Sequence, residues 1–143
     1  MKKVRRDRER WQPPEPLLPV AVFNCRRCSA ALTHPLILLT DIMKLSKKEK
    51  TSRVPTGHYF PVSEGKEFVD TYAVALVELI DVGYHTGHNR LLGCCGPSGT
   101  FGRNRICVCG WEVGTEQSDC IWPEAVYLDT KQVVARAPVE PRE

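Results

Sequence analysis

Seven cysteines stand in a chain of 143 residues, and five of them fall between Cys94 and Cys120. The other two form Cys25-Arg26-Arg27-Cys28, a C-x-x-C pair at the end of an apolar segment, and the later group contains Cys107-Val108-Cys109-Gly110. One pair at each place supplies four thiolates, the full complement of a tetrahedral structural zinc site. A knuckle of this kind works because a tight turn aims two sulfurs at one point, and small residues after the second cysteine let backbone N–H groups turn towards them. Ser29 and Ala30 provide those small residues, and Arg26 and Arg27 offset the negative charge of four thiolates. Cys107 and Cys109 sit two apart, on one face of an extended backbone. Their sulfurs would be too far apart in a straight strand, so the chain has to bend there, and Gly110 supplies the positive φ such a bend needs. The expected metal ligands are Cys25, Cys28, Cys107 and Cys109. A competing set replaces Cys107 with Cys94 or Cys95; strand neighbours point to opposite faces, so only one of those two joins easily.

Length and composition place the chain as one ordinary domain with enough apolar material for a core: 42% hydrophobic, 26% charged. Eleven prolines and ten glycines favour short elements and turns. The net charge of +3 is unevenly placed. The first ten residues carry six basic side chains (Lys2, Lys3, Arg5, Arg6, Arg8, Arg10) against Asp7 and Glu9, and the rest holds 14 basic against 15 acidic residues. A neutral body with a basic arm argues against a broad nucleic-acid surface; the arm reads first as a solvated tail and second as a segment that grips phosphates. No run approaches the roughly 18 apolar residues of a membrane span, and Leu17–Phe23 is too short and proline-flanked for a signal segment. A cytoplasmic location is the expectation, and there cysteine clusters read as metal-binding or reactive before they read as disulfides. The odd count of seven points the same way.

Along the chain, 1–16 is a basic, proline-rich arm, 17–136 a single zinc-binding β-rich domain, and 137–143 a tail. Strands are expected at Leu17–Asn24, Pro35–Met43 (buried) and Asn104–Gly114, where Ile106, Val108 and Val113 are apolar. In Phe68–Val82 the helical spacing of Phe68, Tyr72, Leu76 and Leu79 competes with the β-branched Val74, Val77, Ile80 and Val82, and the short elements elsewhere favour strand. Ala125–Asp129 and Gln132–Arg136 form a C-terminal hairpin or strand pair. Lys44–Arg53 is a charged loop, Val54–Pro61 an ordered loop around aromatic residues, and Gly83–Asn89 and Gly93–Gly102 are further loops. The expected fold is mostly β, a small zinc-stabilised sheet domain with short helical content at most.

Residues outside the ligand set carry weaker signals. Cys94-Cys95, flanked by Gly93 and Gly96, reads as buried beside the metal site, with a vicinal disulfide or a reactive thiol as the functional alternative. Asp119 raises the pKa of the neighbouring Cys120 thiol, which reads as packed. His85 and His88 are solvated loop histidines or half of a second metal site, and His58 either stays structural or lines a pocket with Phe60 and Trp111. Glu116 and Asp119 do not make an acid/base pair, and G-x-S-x-G, P-loop and dinucleotide fingerprints are absent from the sequence, so no catalytic residue is assigned.

Cys107-Val-Cys109-Gly-Trp-Glu-Val resembles the C-x-C-G and following strand of the glutathione-dependent formaldehyde-activating enzyme family, whose β-tent fold shares one structural zinc between a C-x-C and a distant C-x-x-C. Yippee-like proteins and the cereblon ligand-binding domain are similar in tying two sheets with two cysteine pairs. The likeness covers about a dozen residues, the pair order is reversed, and the family's catalytic C-x-C-x-x-C has no counterpart. It implies a structural zinc and a β-tent-like or zinc-ribbon-like sheet. The set Gly93-Cys94-Cys95-Gly96, Cys107-Val-Cys109-Gly110 and Ser118-Asp119-Cys120-Ile121-Trp122 also resembles a group of uncharacterised bacterial zinc-binding proteins, which imply no activity. The expected function is a structural-zinc binding or interaction domain with a protein or small-molecule partner. The contact surface is expected near Trp111, Trp122 and the Gly-rich loop. Thiol-dependent redox or other enzymatic use of Cys94, Cys95 or Cys120 is the second reading. Nucleic-acid binding through the basic arm is the third.

Overall fold

A computed structural model describes residues 17–138, so the basic arm expected at 1–16 and the end of the tail lie outside the described residues. The described chain is mostly β. Its strands are β1 (Val20–Cys25), β2 (Leu36–Leu38), β3 (His58–Val62), β4 (Thr71–Val74), β5 (Val82–Tyr84), β6 (Arg105–Cys107), β7 (Glu112–Gln117), β8 (Ala125–Asp129) and β9 (Val133–Arg136). Three single-turn 3-10 helices, Ile42–Lys44, Leu76–Glu78 and His88–Leu91, complete the elements.

The strands form one sheet in the order β5-β6-β7-β8-β4-β3-β2-β1-β9, with every pairing antiparallel except β2 against β3. Such a sheet cannot be flat. β8 stands fourth and β9 ninth, which at about 4.8 Å per strand is roughly 24 Å in a plane. Yet only Thr130, Lys131 and Gln132 link Asp129 to Val133, a reach of at most about 14 Å. The sheet therefore curls until its β9 edge lies against its middle. Gln132 Nε2 donates to the Glu112 carbonyl at 2.8 Å across this closure.

The curl encloses one main core. Phe23, Tyr59 and Tyr72 meet ring to ring, with centroids 4.7 to 5.9 Å apart, and Leu32, Leu36, Val74, Val113, Val126, Leu128 and Val133 pack around them. Cys25 and Cys107 belong to the same buried cluster. A smaller one, Val54, Ala73, Ala125 and Tyr127, lies on another face, where Phe68 stacks on Tyr127 at 4.1 Å.

Five local expectations are corrected. Phe68–Val82 is not one strand: it breaks into β4, the Leu76–Glu78 turn and the first residue of β5. Val54–Pro61 is only partly a loop: His58–Val62 is a strand that pairs with β2 and β4. Pro35–Met43 keeps just three strand residues, and Ile37, Ile42 and Met43 are exposed. Asn104–Gly114 is not one strand but a hairpin, β6 and β7, and Ile106 and Val108 are not its inward face: Val108 is 72% exposed while Asn104 and Arg105 are buried. β8 and β9 are both strands joined by a tight turn, with Gln132 N–H donating to the Asp129 carbonyl at 2.9 Å, yet they form no hairpin. β7 and β4 already occupy both edges of β8, so β9 pairs with β1 instead.

Candidate metal centre

β1 ends at Cys25, and the chain turns sharply back on itself. Ser29 N–H donates to the Cys25 carbonyl at 2.8 Å, and Cys25 N–H donates to the Ala30 carbonyl at 2.9 Å. The reversal puts Ser29 in the left-handed region, φ 69°. Arg26 fixes the turn to the β8–β9 link, its guanidinium donating to the carbonyls of Thr130 (3.1 Å) and Val133 (2.8 Å). Arg27 lies over the Trp111 ring, 5.6 Å from its centroid.

The second pair occupies the tip of the β6–β7 hairpin. Gly110 N–H donates to the Cys107 carbonyl at 2.8 Å, Cys107 N–H donates to the Trp111 carbonyl at 2.9 Å, and Gly110 sits at φ 90°. The expected bend is therefore a turn, and glycine is where it needs to be. Each turn also directs backbone N–H groups at its sulfurs: those of Arg27 and Cys28 at Cys25, that of Cys109 at Cys107, and that of Trp111 at Cys109.

The two turns meet. Cys25 Sγ lies 3.7 Å from Cys109 Sγ, and Cys28 Sγ lies 3.5 Å from Cys107 Sγ; all four sulfurs fall within 4.8 Å of one another. A disulfide would bring sulfurs to about 2.05 Å, whereas four thiolates around one ion at about 2.3 Å stand roughly 3.8 Å apart. The donor set thus fits a tetrahedral metal ion. All seven cysteines are free thiols. Burial pushes the Cys25 thiol up and the Cys107 thiol up to about 12, whereas the Trp111 N–H holds Cys109 down, to about 7.

Of the remaining thiols, Cys94 and Cys95 are exposed, not buried beside this centre, so the expected burial is corrected. With Asp119 and Cys120 they form a second group, its ligand atoms again within 4.8 Å of one another. The strand-neighbour argument fails here because Cys94-Cys95 lies in a tight loop, where side-chain alternation does not apply, and both sulfurs converge on Cys120. The Cys120 thiol is raised as expected, but Cys95 is the leading cause and burial the next, with Asp119 contributing least. Sequence reasoning missed the convergence; its signal was the flanking Gly93 and Gly96, which permit the loop to fold tightly.

His85 is no ligand in this arrangement. Its Nδ1 accepts from Gly87 N–H at 2.8 Å, which assigns the proton to Nε2, and that nitrogen faces Glu112 at 2.9 Å. The side chain of His88 lies outside the described residues. His58 bonds the Thr56 carbonyl through Nδ1 at 3.1 Å. The expected pocket with Phe60 and Trp111 does not form: Phe60 lines a groove with Ile42, Met43, Leu45, Lys47 and Arg53, and Trp111 packs against the main core. Glu116 is tied to Arg105 at 2.6 Å, 2 % exposed, in a structural ion pair. Among the described residues no helix is long and apolar enough to cross a membrane.

No protein-family model, no curated protein and no solved structure matches this chain.

Proposed function

We propose that this is a metal-binding interaction module, in which Cys25, Cys28, Cys107 and Cys109 hold one structural zinc ion and the closed sheet presents a rigid surface to a protein or small-molecule partner. One observation carries the reading. Cys25 ends a strand eighth in the sheet and Cys107 a strand second in it, about 29 Å apart in a plane, and their sulfurs meet with those of Cys28 and Cys109 at metal-ligand spacing. Four thiolates select a soft or borderline ion, and zinc is the one that asks for four-coordinate tetrahedral geometry without redox change. When bound, it supplies a cross-link between the two ends of the sheet and neutralises thiolate charge. The protein's own part is to aim the N–H groups of Arg27, Cys28, Cys109 and Trp111 at the sulfurs and to bury Cys25 and Cys107 in the core.

The half-exposed Trp122 beside exposed Ile121, and exposed Leu92 and Phe101 at the two ends of the Gly-rich loop, support an interaction role. Metal content by mass spectrometry, on protein purified without added metal, tests the centre. Changing Cys25, Cys28, Cys107 or Cys109 to Ser is expected to remove one zinc and to lower the melting temperature sharply. A protein that carries no metal and melts the same with and without a chelator overturns it.

A further inference from the structure

We propose that Cys94, Cys95, Cys120 and Asp119 form a second, solvent-facing site for a thiophilic divalent cation of the zinc class, separate from the half-buried four-cysteine centre. The four ligand atoms come from two loops some twenty-five residues apart in the chain and fall within 4.8 Å of one another. Both loops are held in place by backbone contacts rather than by the cysteines. Ser98 N–H donates to the Leu92 carbonyl at 3.0 Å, which closes the Gly93–Gly96 loop, and Ser118 N–H donates to the Pro97 carbonyl at 2.9 Å, which seats the second loop against it. Gln117 Nε2 adds a bond to the Ser98 carbonyl at 3.2 Å.

The glycines are part of the construction. A Cβ on Gly93 would lie 1.8 Å from the Gly96 carbonyl oxygen, and one on Gly96 would lie 3.1 Å from Ser118 Oγ. No other residue at position 93 lets the loop close this tightly. Asp119 is oriented as well: its Oδ1 accepts from Cys95 N–H at 2.9 Å and from Cys120 N–H at 2.7 Å, so one carboxylate ties both loops together. These bonds also hold the carboxyl below its ordinary range.

Three sulfurs with one carboxylate oxygen distinguish this group from the first. A purely soft ion such as Cu(I) gains nothing from the carboxylate, whereas zinc accepts sulfur and oxygen together. Exposure differs as well. In the first group Cys25 and Cys107 are 1 % exposed in the main core, with Cys109 half-buried and Cys28 exposed, whereas the second group has no buried member: Cys94 and Cys95 are exposed and Asp119 and Cys120 half-buried. An ion held at the second site exchanges with chelators faster than one at the first, and it remains open to an added ligand from solution.

The test is a zinc titration of the full-length chain under reducing conditions, with equivalents counted by native mass spectrometry and release timed with a chromogenic chelator. The wild type is expected to hold two zinc ions, one released quickly and one slowly. The triple variant C94S/C95S/C120S is expected to hold one, with only the slow phase left and an unchanged far-UV spectrum. Asp119→Asn is expected to leave the slow ion in place and to weaken the fast one by at least about tenfold, the order that loss of a supporting partner alone costs. A wild type that takes up a single ion, a fast phase that survives in the triple variant, or a disulfide among the three thiols in the presence of excess zinc overturns the second site. The first centre is judged separately, by the slow equivalent and its loss in Cys28→Ser.

Discussion

At the scale of single residues, the stability of the hairpin end rests on side chains that alternation in the sequence disguises. Arg105 and Glu116 pair at 2.6 Å with both largely buried, and the guanidinium also donates to the carbonyls of Val82 (2.7 Å) and Gly83 (3.1 Å) and lies over Tyr84. Removing one partner strands a buried charge, so Arg105→Leu is expected to cost about 3–5 kcal/mol in chemical denaturation, with Glu116→Gln added to it recovering part. Gly114 is required for a different reason: a Cβ there would lie 2.6 Å from the Tyr127 carbonyl, and Gly114→Ala is expected to cost about 1–3 kcal/mol. Glu112 receives His85, Arg90 and Arg103. Burial raises its pKa, but these three partners outweigh burial and hold the carboxyl below its ordinary value of 4.5. Its stabilisation is therefore present above that value and lost as pH falls through the lower folded value. Glu112→Gln is expected to melt lower at neutral pH, by an amount worth roughly 1 kcal/mol, and to show a flatter decline below pH 4.5 than the wild type. None of these roles was legible beforehand, because a charged residue in a strand pattern reads as solvent-facing until its partner on the next strand is known.

Among the elements, the two cysteine turns were the most legible part of the chain and the strand pairings the least. A C-x-x-C followed by small residues and a C-x-C followed by glycine specify local turns through residue chemistry alone, and the backbone adopts both. Pairing depends on neighbours distant in sequence: the apolar Ile106 and Val108 suggested one inward face, whereas the turn at Val108–Gly110 puts Val108 in solvent. Likewise, β8 and β9 looked like a hairpin because only three residues part them, and the prior occupation of both β8 edges decided otherwise. The two turns differ in how well sequence suits backbone. Gly110 meets its φ of 90° without strain, while Ser29 occupies φ 69° with a side chain. Substitutions of opposite sense should thus have opposite effects: Gly110→Ala destabilising by about 1 kcal/mol, and Ser29→Gly neutral to stabilising by a few tenths to 1 kcal/mol, read as shifts in denaturation midpoint at saturating zinc.

For the molecule as a whole, the curled sheet has two ends and the four sulfurs join them. Chelation is expected to lower the melting temperature by well over 10 °C. It is also expected to release amide protection first in β6 and at the end of β1, the segments that carry Cys107 and Cys25, before the β3–β4–β8 centre. Uniform loss of protection would mean that the sheet is held by its core alone. The charged segment between β2 and β3 bears on the same question. Lys47, Lys48 and Lys50 are exposed there, after β1, β2 and the Cys25–Cys28 turn and before the strands that carry the second cysteine pair. A single cut by trypsin in that loop would divide the protein into a piece holding Cys25 and Cys28 and a piece holding Cys107 and Cys109. Neither fragment owns all of Cys25, Cys28, Cys107 and Cys109, so, if zinc joins these four as proposed, the nicked halves are expected to stay together while it is bound and to separate when it is withdrawn.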